Sequence, residues 1–192
     1  MKGLGLPNWM TLLRVLLIPV MVLFFLLPFV WARPVAAAVF VLAGLTDWLD
    51  GFLARRLGQG SRLGAFLDPV ADKLIVTSAL VLIVMADPHS WVVLPALIII
   101  GREIAVSALR EWMAGIGASR TVAVSWAGKI KTAVQMTAIV LMLFRNPLHG
   151  THIYWIGLGL LYVAAALTML SMLLYLRAAW PDLMSRRSRD FQ

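Results

Sequence analysis

Two pairs of aspartates, Asp47 with Asp50 and Asp68 with Asp72, stand in a chain otherwise rich in the residues that lipid favours. A carboxylate near a bilayer core costs about 2.5–3.5 kcal/mol on insertion scales, and four close together also repel one another. A divalent cation offsets both effects. On a helix turning about 100° per residue, Asp47, Asp50, Gly51 and Ala54 fall within an arc of about 100°, so two acids and two small residues share one face. Asp68 and Asp72, four apart, share a face of the next segment across a glycine-containing turn. Oxygen ligands alone, with no cysteine in the chain and no histidine nearby, select a hard ion: Mg2+, Mn2+ or Ca2+. Mg2+ is commonly held by a few carboxylates together with substrate phosphates, which points to a phosphate ester or anhydride as substrate. Arg55, just beyond the acidic face, is placed to bind a phosphate or to brace an acid. Taken singly, Asp-Gly and Asp-Pro pairs are ordinary turn formers and helix-end aspartates are caps, so the combination carries the metal reading.

The elements that position these acids follow from composition. Of 192 residues, 61% are hydrophobic and 14% charged, and the mean hydropathy is +0.89, far from the globular average of about 45–50% apolar and about 25% charged. At about 20 residues per span the chain holds about six crossings, with no room for a separate soluble domain. Apolar runs fall near 10–31, 35–54, 66–86, 91–113, 122–144 and 152–178, broken by Arg33-Pro34, Gly58-Gln59-Gly60-Ser61, Asp87-Pro88-His89 and Arg145-Asn146-Pro147. The runs are too long, and alternate too little, for barrel strands of about 10 residues. The expected fold is an all-α integral membrane bundle of about six transmembrane helices forming one domain over residues 1–192. The second helix is expected to project into water as far as Leu57, and the third to begin before Asp68 with Pro69 near its first turn.

Charge gives the orientation. With both termini cytoplasmic, fifteen of the seventeen basic residues fall on the inner side and only Arg33 and Arg145 outside, as the positive-inside rule requires. Trp31, Trp91 and Trp155 fall at outer ends and Trp9, Trp112, Trp126 and Trp180 at inner ends, as an aromatic belt would. The acidic motif then faces the cytoplasm. The net charge of +8 is accounted for by this orientation and by anionic headgroups, so nucleic acid is not an expected partner. Ala36-Ala37-Ala38 reads as helix packing rather than as a cleavage site. His89, His149 and His152 fall in predicted outer loops, as surface residues. Gly157-Leu158-Gly159 is expected to favour close helix packing.

The segment from Asp47 to Asp72 resembles the signature of the CDP-alcohol phosphotransferases: D-x2-D-G-x2-A-R, eight residues, then G-x3-D-x3-D. Every fixed position is present, from Asp47, Asp50, Gly51, Ala54 and Arg55 to Gly64, Asp68 and Asp72. Within that family the segments Pro7-Asn8-Trp9-Met10-Thr11-Leu12-Leu13-Arg14, Gly101-Arg102-Glu103 and Gly128-Lys129-Ile130-Lys131-Thr132 look most like the bacterial phosphatidylglycerophosphate synthases.

The resemblance implies transfer of the phosphatidyl group from CDP-diacylglycerol to sn-glycerol 3-phosphate with release of CMP, at a bacterial inner membrane and by a homodimer. It implies one or two Mg2+ (or Mn2+) ions on Asp47, Asp50, Asp68 and Asp72, and Asp72 as general base. Gly51 and Ala54 would let the cytidine nucleotide lie against the helix beside Asp47, with Arg55 on its phosphate. Whether Asp72 works through neighbouring charge or metal activation of the hydroxyl stays open. For the acceptor phosphate the candidates are Arg110, Lys129 and Lys131, with Arg102 and Arg14 behind them. The alternative for each is snorkelling to the interface, and Lys129 and Lys131 lie on different helix faces. Asn8 and Thr11 read as caps of the first helix, with contact to the headgroup as the alternative, and Glu103 beside Arg102 as a local ion pair. Two other functions fit the residues: the same transfer to inositol phosphate, serine or phosphatidylglycerol, and a divalent-cation transporter.

Overall fold

The computed structural model describes residues 6–57, 62–115, 126–144 and 151–185. These form six helices: α1 (Leu6–Leu26), α2 (Ala32–Leu57), α3 (Arg62–Ala86), α4 (Ser90–Gly115), α5 (Trp126–Leu143) and α6 (Thr151–Ser185). No strand occurs among the described residues. Four windows are long and apolar enough to cross a membrane, at 9–26, 67–86, 90–115 and 152–177, and Ile130–Leu143 is a shorter apolar helix. The chain is an integral membrane protein with an all-α fold.

Helix boundaries differ from the apolar runs where proline chemistry intervenes. The first run extends to Trp31, yet α1 stops at Leu26, because the residue before Pro28 is pushed out of helical geometry. Arg33-Pro34, expected to break the chain, instead lies in the first turn of α2, where a missing N–H is tolerated. Pro69 falls in the second turn of α3 rather than the first, because that helix starts at Arg62. Asp87-Pro88-His89 is a true break: the Asp87 amide closes α3 on the Ile83 carbonyl, and the His89 carbonyl receives the Val92 and Val93 amides that open α4.

α1 packs on α2 and α3, α5 on α6, and α4 on α6 and α3, while α2 and α3 also reach α5. Small residues let these helices approach: Ala36, Ala37 and Ala43 of α2, Ala79 of α3, Ala96 of α4, Ala138 of α5 and Ala164 of α6 are all buried. Ala36 and Ala37 thus pack, as expected, while Ala38 faces outward. Met21, Phe40, Ile75, Leu80, Ile99, Ile139 and Leu161 fill the space between. At Gly157 an added Cβ would stand 2.9 Å from Met142 Cγ and 3.3 Å from the Ala138 carbonyl oxygen, so α5 and α6 touch there through glycine; at Gly159 it would meet nothing. Leu16, Leu97, Ile104 and Leu174 face outward, as lipid-facing residues do. Trp9, Trp31, Trp91, Trp112, Trp155 and Trp180 are exposed at helix ends. At the end carrying the α3–α4 break, Tyr154 and His89 both bond Asp87, and the exposed His89 ring stacks on Trp91.

Candidate active site

Buried polar groups do not scatter through this bundle. Among the described residues they are Thr11, Arg14, Thr46, Arg102, Lys131, Gln135 and Thr168, and they divide between α1 and α2 on the one hand and α4, α5 and α6 on the other.

The first group joins α1, α2 and α3 around the acidic motif. Arg14, fully buried, places Nη1 2.9 Å from Asp47 Oδ1, while the Asp47 side chain stays half exposed. One turn earlier on the same helix face, buried Thr11 donates from Oγ1 to Asp68 Oδ1 at 2.5 Å. Thr46, next to Asp47, returns its hydroxyl to the Ala43 carbonyl at 2.7 Å. Asp72 lies one turn beyond Asp68, exposed and within reach of the charges of Asp47, Arg14 and Glu103. Two sequence expectations change here. Thr11 is no helix cap, because α1 begins at Leu6 and Thr11 is already in its second turn. Arg14 does not stand behind the acceptor cations but grips the first aspartate of the motif.

α2 remains helical through Asp50, Gly51, Ala54 and Arg55, so the shared face expected of Asp47, Asp50, Gly51 and Ala54 has the continuous helix it needs. The surroundings of Asp50, Gly51, Ala54, Arg55 and Lys129 lie outside the described side chains. Among the described residues no three acidic, histidine or cysteine side chains gather closely enough to hold an ion. Asp47, Asp68 and Asp72 nevertheless fit a hard cation by chemistry: they are oxygen donors on two adjoining helices, and two of them are open to solvent.

The second group joins α4, α5 and α6. Glu103 Oε1 receives both Arg102 Nη1 at 2.9 Å and Lys131 Nζ at 2.7 Å, so what reads in sequence as a local pair reaches across to α5. Arg102 Nη2 donates to Ser171 Oγ at 2.6 Å. Tyr175 gathers two guanidiniums: Arg110 Nη2 donates to its hydroxyl at 2.8 Å, and Arg110 and Arg102 lie 5.2 and 5.8 Å from its ring centre. Arg110 and Lys131, proposed for one ligand, therefore belong to one cluster, Lys131 buried and Arg110 exposed.

An acidic group on α1, α2 and α3 and a basic cluster on α4, α5 and α6 suit a transfer between two phosphorylated substrates, and comparison with known proteins bears on the same point. The sequence model of the CDP-alcohol phosphatidyltransferase family matches residues 4–176. The chain belongs to the CDP-alcohol phosphatidyltransferase family. Among similar CDP-alcohol phosphatidyltransferases, a protein of Yersinia pestis (strain Pestoides F) is 55% identical over 181 residues, covering 94% of this chain and 98% of its own length. One from Sodalis glossinidius (strain morsitans) is 55% identical, covering 94% and 97%, and one from Salmonella choleraesuis (strain SC-B67) is 51% identical, covering 95% and 98%. All three are named CDP-diacylglycerol–glycerol-3-phosphate 3-phosphatidyltransferase. For this family member the matched span contains both polar groups, from Thr11 to Tyr175.

Proposed function

We propose that this chain transfers the phosphatidyl group of CDP-diacylglycerol to sn-glycerol 3-phosphate, giving phosphatidylglycerophosphate and CMP. The observation that carries the reading is geometric: α1 holds two acids of the motif, Asp47 through Arg14 and Asp68 through Thr11, while Glu103 gathers Arg102 and Lys131 into a basic cluster on α4, α5 and α6. Relatives over half identical and nearly equal in length, bearing that activity in their names, support it.

In this reading the acidic face of α2 and α3 takes the donor. Asp47, Asp50, Asp68 and Asp72 would hold Mg2+ or Mn2+, which when bound offsets the charge of the pyrophosphate. Gly51 and Ala54 leave room for the cytidine nucleotide, and Arg55 contacts its phosphate. Thr11 and Arg14 fix Asp68 and Asp47 from behind, so that the acids are oriented before substrate arrives. Arg110, Lys131 and Lys129 take the phosphate of the acceptor. Asp72 accepts the proton of the acceptor hydroxyl, whose oxygen bonds to the β-phosphorus; the bridging P–O bond breaks, and CMP leaves with its electron pair. With all six helices crossing, both termini would lie on one side, and the distribution of basic residues supports the cytoplasm of a bacterial inner membrane as that side. A homodimer rests on the family resemblance.

The decisive test supplies purified protein with labelled CDP-diacylglycerol, Mg2+ and a panel of acceptors, scoring CMP release and lipid product. Product with glycerol 3-phosphate alone is expected. Product only with inositol phosphate, serine or phosphatidylglycerol would reassign the acceptor within the family.

A further inference from the structure

Glu103 belongs to neither the acidic motif nor the set of cations proposed for the acceptor, yet it ties two helices of the basic cluster together. One of its oxygens, Oε1, binds two cations from two helices, Arg102 of α4 and Lys131 of α5. Its charge also reaches Asp72. Around it the cluster is built but incompletely satisfied: among the described residues, buried Arg102 Nε and fully buried Thr168 Oγ1 have no hydrogen-bond partner. Thr168 lies one turn from Ser171, which bonds the same arginine. Buried polar atoms left in this state mark a place where a further polar group is expected.

We propose that Glu103 is the positioning residue of the acceptor phosphate site. Resting on the acceptor reading above, this assigns the carboxylate two tasks. It holds Lys131 and Arg102 in place before the acceptor arrives, so that little side-chain freedom is lost on binding. It also moderates the charge: the carboxylate offsets part of the positive charge of Arg102 and Lys131, so that the two cations can stand close together before a phosphomonoester of about −1.5 to −2 arrives. Removing the carboxylate would not simply strengthen anion binding. Lys131 is buried, and an ammonium stranded there without its counter-ion leaves the position or gives up its charge.

The test is the split between the two Michaelis constants. Glu103→Gln, similar in size but uncharged, should raise KM for glycerol 3-phosphate about tenfold while KM for CDP-diacylglycerol stays within about twofold of wild type. Glu103→Asp should recover part of the loss. Because the single variant strands Lys131, the double variant Glu103→Gln/Lys131→Gln serves as a second reading: its rise in KM for glycerol 3-phosphate should be smaller than the product of the two single rises, because the two side chains act through one contact. An unchanged or lowered KM for the acceptor in Glu103→Gln, equal rises for both substrates, or full additivity in the double variant overturns the proposal. If the wild type uses a different phosphate-bearing alcohol, the acceptor reading fails and the same split, read on that alcohol, tests Glu103. Use of a phosphate-free acceptor alone would overturn both.

Discussion

Of the three described motif acids, Asp47 is held by Arg14 and Asp68 by Thr11, whereas the side chain of Asp72 is exposed and no hydrogen bond or ion pair is seen to hold it among the described residues. Asp72→Asn should therefore lower kcat by about 100-fold or more while CDP-diacylglycerol still binds, as measured by turnover beside equilibrium binding of the donor. Thr11→Val removes one hydrogen bond worth about 1 kcal/mol, so the same assay should show a loss of only about fivefold. Activity of Asp72→Asn near wild type would remove it as the base. The four aspartates were legible in the sequence because acids so closely spaced in an apolar chain repel one another and resist insertion unless a shared cation offsets their charge. Their supports were not: Thr11 and Arg14 are 57 and 33 residues from the acids they hold, and sequence offers only two polar residues three apart on an apolar helix. Glu103 was read as a local pair because its neighbour Arg102 is adjacent, whereas Lys131, 28 residues on, becomes a neighbour only through helix packing.

Element by element, the apolar runs located all six helices, and the errors came at prolines, whose effect depends on which turn they occupy. Gly157 is the element-scale counterpart of Glu103, a contact between α5 and α6 that sequence marked only as a Gly-Leu-Gly triplet. A methyl group there would press on Met142 Cγ and on backbone, so Gly157→Ala should cost about 1–3 kcal/mol, read as a lower Tm in detergent. Gly159→Ala, with open space around its Cβ, should leave Tm unchanged, and equal shifts for both would mean that the close approach does not matter. At 35 residues, about 52 Å, α6 is longer than a bilayer core of about 30 Å, so its last turns extend past the lipid.

For the molecule as a whole, composition dictated membrane residence, and charge asymmetry is the basis of the proposed orientation. The absence of cysteine makes the orientation directly measurable. In intact cells His152→Cys, at the exposed start of α6, should react with a membrane-impermeant thiol reagent, and Arg177→Cys should react only after permeabilisation. The reverse pattern would invert the topology and with it the cytoplasmic site.

The shared carboxylate also has a consequence for how the chain is made. As α4 leaves the ribosome, Arg102 arrives with its own neutraliser beside it, so the segment can enter lipid without an isolated charge. The following helix is shorter, 18 residues, and brings Lys131 with no acid of its own within its length. Acid precedes base in the order of synthesis, so the counter-charge is already waiting in the membrane when the lysine is delivered to it.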